Sequence, residues 1–289
     1  MNGPEKISRA SRLRKRNRKR FSAPSSTGPV RYIYSHKINQ MNRKTFAILL
    51  SLSLLSVISV FPYVLTVQGE AIKSIGLPLE VIFAAQFLQS LILFSITISL
   101  GLFFAKEINF RLPLLEAVAE KKNYGEILKA ILGKSVLAGA LAACLIYAAD
   151  AFFTIQGAAI STHQNYAPIW QKLLASFYGG IAEEILMRLF LMTFFIWIGM
   201  KLFRQKKPTR AGIVFSIFLA AIIFGLGHLP ITASLTQLSP LIVSRAIVLN
   251  GIGGIIFGWL FWKKGLESAM LAHFTADIFL LTLLPLLFD

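Results

Sequence analysis

Seven long apolar stretches constrain this chain more than any other feature. They lie at about 45–67, 80–105, 127–149, 172–203, 211–229, 241–262 and 266–288. A run of about 18 or more apolar residues is long enough to cross the hydrocarbon core of a bilayer as a helix. Lipid offers the backbone no hydrogen-bond partner, so every N–H and C=O must be satisfied within the spanning element itself. The chain therefore reads as all-α, a polytopic integral-membrane helical bundle of about seven to eight transmembrane helices. A hydrophobic content of 55% and a mean hydropathy of +0.66 agree with this and exclude an ordinary soluble domain. The one cysteine, Cys144, lies within an apolar run, which excludes a disulfide framework and a cysteine-ligated metal.

The net charge of +17 resembles a nucleic-acid signal until it is located. Residues 1–44 hold thirteen Lys and Arg against one acid, Glu5, and carry +12 of it. The run Arg9 to Arg20 has no apolar period and is followed by Ser, Pro and Gly. It reads as a basic disordered tail that keeps the N-terminus in the cytoplasm and touches anionic lipid. Aromatic stacking partners are few and no recognisable module accompanies the run, so no nucleic-acid partner is expected. Met41-Asn42-Arg43-Lys44 is an alternative start, and no cleavable signal peptide is expected. The connections 106–129, 204–210 and 263–264 carry eleven Lys and Arg, and 68–80, 150–172 and 230–240 carry two. The positive-inside rule then puts the first group in the cytoplasm and, with seven spans, the C-terminus outside. Three segments result: the tail 1–44, N-terminal transmembrane helices with an interfacial loop at 45–124, and a third membrane segment at 125–289. Within loop 106–129, the stretch from Ile108 to Leu115 is expected to form an amphipathic helix at the interface. Pro62 and Pro285 are expected to kink their spans, and Gly251, Gly253, Gly254 and Gly258 to form a packing face.

Against this background three polar clusters stand out. The fourth span carries Glu183-Glu184-Ile185-Leu186-Met187-Arg188, the fifth closes on Phe224-Gly225-Leu226-Gly227-His228, and the seventh contains His273-Phe274-Thr275-Ala276-Asp277. Each charge near the middle of a spanning helix costs roughly 2.5–3.5 kcal/mol on insertion scales, so such groups are paired internally, used, or both. Glu184 and Arg188 are four apart and suited to an ion pair within the helix. Glu183 lies about 100° round the helix and is left over. His273 and Asp277 share a face, as do Phe224 and His228. Three helices each offer a polar face, and facing one another is the cheapest way to hide them from lipid.

The chemistry open to this set is water activation. Low-dielectric surroundings and a neighbouring acid make a carboxylate a better base toward water. One imidazole can orient that water, and another with a hydrogen-bonding partner can steady an oxyanion. Alternatively Glu183, His228 and His273 supply the ligands of an open zinc site. Structural roles compete with both. Glu184–Arg188 can be a packing pair, His228 an interfacial residue, and His273–Asp277 a satisfied hydrogen bond.

The order Glu183-Glu184-x-x-x-Arg188, Phe224-x-x-x-His228, His273-x-x-x-Asp277 resembles the CPBP family of intramembrane proteases, which includes the type II CAAX prenyl endopeptidases and bacteriocin-processing enzymes. The resemblance covers about residues 125–288. It implies peptide-bond hydrolysis inside the membrane, with lipidated C-terminal motifs or leader peptides as substrates. Glu183 would then be the general base, assisted by His228, His273 and Asp277 the oxyanion pair, and Arg188 the group orienting the glutamates. The family is treated both as metalloproteases and as metal-free glutamate enzymes, so zinc stays an alternative. The expected partners are membrane lipids and a peptide or protein substrate, and the expected location is the cell membrane. An inactive scaffold or regulator and a proton-coupled carrier are the rival functions.

Two departures accompany the resemblance. Asp277 stands where the CAAX-processing branch has Asn, and an ionised Asp repels an oxyanion. It must therefore be protonated, paired with His273, or serve as a ligand. At about 1.5 Å per residue, His228 falls near the outer end of its span and His273 about 10 Å from the inner end of its own. The groups meet only if helices tilt, break or re-enter, and Gly225 and Gly227 are expected to supply a break.

Overall fold

The computed structural model describes residues 43–160 and 167–288, all within one compact unit. The basic run of the tail and the Met41 alternative lie outside the described residues. Among those described, every regular element is a helix. In order these are α1 Arg43–Lys73, α2 Leu79–Glu107, α3 Pro113–Ala119 and α4 Gly125–Ile155. There follow α5 Ile169–Leu202, α6 Arg210–Gly227, α7 Leu229–Leu235, α8 Pro240–Lys264 and α9 Leu266–Phe288. Seven segments are long and apolar enough to cross a membrane, as the sequence predicts, with α6 and α7 together making one of them. The chain is a multi-pass membrane protein.

The spans are apolar on the outside as well as the inside. Only 22–39% of each span's most apolar window is buried within the protein, leaving rows such as Leu137, Leu141 and Leu145 on α4 to face lipid. Several hydroxyls are satisfied within their own helices. Ser53 Oγ donates to the Leu49 carbonyl, Thr97 Oγ1 to that of Leu93, and Ser216 Oγ to that of Gly212, each at 2.8 Å. Thr209 and Ser239 cap the starts of α6 and α8 by accepting from Gly212 N–H and Ile242 N–H.

Small residues bring the helices together. Added Cβ atoms at Gly254 and Gly258 would lie 2.6 Å from Ala221 and 3.1 Å from Ile217, so α8 packs closely on α6 there. Gly253 adjoins the Phe257 ring, whereas Gly251 meets nothing within 4 Å and has no part in the packing face. At Gly139 a Cβ would run into the Ala272 carbonyl, so the α4 and α9 backbones approach each other closely there. The non-helical backbone in α1 falls at Gln68 (φ −120°, ψ 16°) and not at Pro62. Pro285 follows a π-helical turn over Phe279–Leu283, which loosens the ladder just before the ring that cannot donate to it.

Of the stretch Ile108 to Leu115, the part up to Leu112 is not helical, and α3 begins only at Pro113, with Leu115, Ala117 and Ala119 buried. Its first turn is held from below by α9: Leu115 N–H donates to buried Glu267 Oε1 at 2.8 Å. Gly265, with φ +101°, makes the turn between α8 and α9, and a Cβ on it would strike the Pro113 ring.

Candidate active site

The polar centre is built on α5, where the helix is locally widened. Tyr178–Glu183 and Ile185–Met192 are π-helical, a conformation found mostly as short insertions at functional sites. The Gly179-Gly180 pair begins this segment. A Cβ on Gly180 would lie 2.8 Å from Phe274 Cβ, and one on Gly179 would overlap Asp277 Oδ2 and approach His273 Nε2 to 3.1 Å. These two glycines let α5 meet α9 at the level of His273 and Asp277. The sequence analysis did not single them out, although the Gly-Gly pair four residues before Glu183 was a readable signal.

The two adjacent glutamates have different surroundings. Glu184 is fully buried, and its Oε1 lies 3.0 Å from Arg188 Nη1 and 2.7 Å from His273 Nδ1. Arg188 is 2% exposed, donates from Nη2 to the Gly254 carbonyl at 3.3 Å, and lies between the rings of Phe224 and Phe257, 5.2 and 5.5 Å from their centroids. Phe257 also stacks on His273, with centroids 4.6 Å apart at 23°. Because an Arg-paired carboxylate accepts and does not donate, His273 Nδ1 carries the proton in its bond to Glu184. That leaves His273 Nε2 facing Glu183 Oε2 at 3.7 Å and Asp277 Oδ1 at 3.6 Å.

Glu183 keeps 21% of its side chain accessible and lines a cavity of about 150 Å³. His228 lines the same cavity, together with Tyr178, Leu186, Met187 and Ile223. His228 stands at the break between α6 and α7, where the helix stops at Gly227 and restarts at Leu229 with Pro230 in its first turn. Its Nδ1 is 2.8 Å from the Phe224 carbonyl and must donate to it, so Nε2 is the acceptor of the ring. The expected break therefore lies at the histidine itself. Gly225 has a different task, since a Cβ there would come within 2.6 Å of Ile247 Cα and force α6 away from α8.

The six residues singled out in the sequence thus form two connected parts. Glu184, Arg188 and His273 are a closed chain of polar contacts, and Glu183 and His228 open on the cavity. Asp277 joins them through His273 Nε2. For zinc the fit is poor on the grouping of donors and not on His273, whose Nδ1–H bond to a carboxylate is one that a metal-bound imidazole commonly keeps. Among the described residues no three His, Cys, Asp or Glu side chains are grouped to hold an ion. Sequence reasoning also missed Phe257, which holds both Arg188 and His273, and Tyr178, which lies within electrostatic reach of Glu183.

Comparison with known proteins bears on residues 165–279, which match the family model described as Rce1-like, type II CAAX prenyl endopeptidase Rce1-like. The match covers less than half of the chain and contains all three motifs. No curated protein and no solved structure matches the chain.

Proposed function

We propose that this chain, whose residues 165–279 match the Rce1-like type II CAAX prenyl endopeptidase family model, cleaves membrane-associated peptides with water activated by Glu183. The observation that carries this reading is the division of labour between the adjacent glutamates. Glu184 is withdrawn into contacts with Arg188 and His273, while Glu183 and His228 line one accessible cavity.

A water between Glu183 and His228 Nε2 donates one proton to each acceptor, which aims an oxygen lone pair into the cavity. As that oxygen attacks the scissile carbonyl, its proton passes to Glu183 and the carbonyl oxygen becomes an oxyanion. With Nδ1–H committed to Glu184, a proton on His273 Nε2 is the donor available to that oxyanion. Glu183 then returns its proton to the departing amine as the C–N bond breaks. The second water proton passes to His228 Nε2, so the products are a carboxylate and an amine, with no covalent enzyme intermediate. Leu186, Met187 and Ile223 give the cavity an apolar wall suited to lipidated C-terminal or leader peptides.

The test uses purified protein in detergent or liposomes with a prenylated C-terminal peptide and a leader-type peptide. Cleavage is expected, and it should persist in chelator with no stoichiometric metal in the sample. Restoration of a chelated enzyme by zinc would replace the glutamate reading by a metal one. Full activity in Glu183→Ala, His228→Ala and His273→Ala alike would overturn the enzyme reading itself.

A further inference from the structure

The stretch Phe224-Gly225-Leu226-Gly227-His228 holds two glycines, and packing accounts for only one of them. Gly225 is where α6 lies against α8, since a Cβ there would come within 2.6 Å of Ile247 Cα. A Cβ on Gly227 would meet no atom of another helix within 4 Å. Its backbone does not call for glycine either. Gly227 is the last residue of α6, and the glycines with positive φ among the described residues are Gly76, Gly157 and Gly265. The helix break expected of it falls at His228. What distinguishes Gly227 is its place on the cavity wall; Gly251 has equal room around it but lines no part of the cavity. A glycine consists of backbone alone, so at this point the cavity meets bare main chain, the condition for close approach by a ligand. Ile223 lines the cavity one turn earlier and His228 at the next position, so the open space lies between an apolar wall and the imidazole. Helical side chains lean toward the helix N-terminus, so any side chain at position 227 would extend over the level of Ile223 and into that space.

We propose that Gly227 is a specificity-determining residue of this site: the space left by its missing side chain, beside His228, receives a bulky apolar side chain of the substrate next to the scissile bond. This rests on the hydrolytic reading above and adds to it the feature by which the cavity selects a peptide. Leu186, Met187 and Ile223 make the occupant apolar, and Glu183 and His228 on the same cavity keep the bond to be cut beside it. A side chain added at position 227 fills the space without disturbing a neighbouring helix, so it acts on the choice of substrate and not on the fold.

Two measurements test this assignment. In a Cys144→Ala background, Gly227→Cys puts the protein's one thiol into the space, where a small water-soluble thiol reagent should label it. A saturating membrane-associated peptide with a bulky apolar residue beside the scissile bond should slow that labelling. Labelling that the peptide leaves unchanged overturns the proposal whether or not the protein hydrolyses peptides. The cleavage assay compares peptides that differ only in the residues flanking the scissile bond, and the wild type should favour bulky apolar side chains there. Gly227→Leu should lower kcat/KM for those peptides at least roughly tenfold, the size expected when methylenes are excluded from an apolar pocket, and change it for peptides with glycine or alanine there by less than about twofold. Gly227→Ala should fall between the two, with an unfolding temperature no lower than that of the wild type, because alanine favours a helix over glycine. An equal loss on every peptide, or an unchanged preference, overturns the proposal. A protected thiol in a protein whose wild type cleaves nothing overturns the hydrolytic reading and leaves the peptide's seat at Gly227 standing. Cleavage by the wild type with an unprotected thiol overturns the assignment of Gly227 and leaves the hydrolytic reading intact.

Discussion

Two buried carboxylates in this protein invite comparison, Glu184 at the polar centre and Glu267 at the start of α9. Both are nearly inaccessible, at 0% and 4%, and each has one oxygen bound and one without a hydrogen-bond partner among the described residues. Glu267 Oε1 accepts a single backbone N–H, from Leu115, and ties α3 to the end of the bundle. Glu184 Oε1 gathers a guanidinium and an imidazole from two helices, and its neighbour in sequence opens on a cavity. A buried acid in an apolar span therefore does not by itself mark a reactive site. The mark is a second acid, left unspent, that water can reach.

The largest effect should come from breaking the closed chain of contacts at Glu184. Glu184→Ala leaves Arg188 buried without its counter-charge, a loss of roughly 3–5 kcal/mol. Little folded protein should be recovered from membranes, as read by detergent-resistant yield and thermal unfolding. Glu184→Leu combined with Arg188→Met should recover most of that stability but no activity, separating structure from chemistry within the same pair. Next, Glu183→Gln should lower kcat by roughly 10²–10⁴ while the unfolding temperature barely moves, since this side chain keeps access to the cavity. A strongly destabilised Glu183→Gln would erase the contrast between the two adjacent glutamates.

Smaller still, Gly179→Ala places a methyl group against Asp277 and His273, and overpacking of this kind costs about 1–3 kcal/mol. Its cleavage rate should fall more than its stability does, because the displaced groups belong to the site. The smallest change is expected at the comparison carboxylate. Glu267→Gln keeps an acceptor for Leu115 N–H and should shift stability by no more than about 1 kcal/mol, with peptide cleavage unaffected. A Glu267→Gln protein that folds normally yet loses turnover would show that α3 and its tether belong to the catalytic machinery.

Much of the fold is legible in the residue order because lipid allows few alternatives. Seven runs became seven segments able to span, and the end points agree within three residues except at Lys73, Ile155 and Leu235, each six residues beyond the expected end, the last through the added helix Leu229–Leu235. Those seven residues, about two turns, carry no charge to set them apart from the span before them, and only Pro230 hints at a new helix start. The Glu184–Arg188 pair is equally legible, since i,i+4 spacing on one helix needs no tertiary information. Contacts between helices are a different matter. Nothing in a one-dimensional pattern says that His273 spends Nδ1 on Glu184 and not on Asp277, which lies on its own helix. Nor does it say that Phe257 covers both Arg188 and His273, since an aromatic residue in an apolar span reads the same whether it faces lipid or a guanidinium.

The sequence by itself determined the class of structure, the three helices that must turn polar faces to one another, and the likeness of those motifs to a protease family. It could do so because burying charge in lipid is unfavourable enough to leave a visible mark at each position. The tertiary structure alone decided that Glu184, which the spacing already pairs with Arg188, also binds His273, and that Glu183, the carboxylate left over, meets a cavity. That arrangement depends on the widened π-helical turns of α5 and on Gly179 and Gly180 admitting α9. Helical phase predicts a fixed angle between neighbouring side chains. Once the ladder widens, packing sets the angle, and Glu183 and Glu184 diverge into different surroundings.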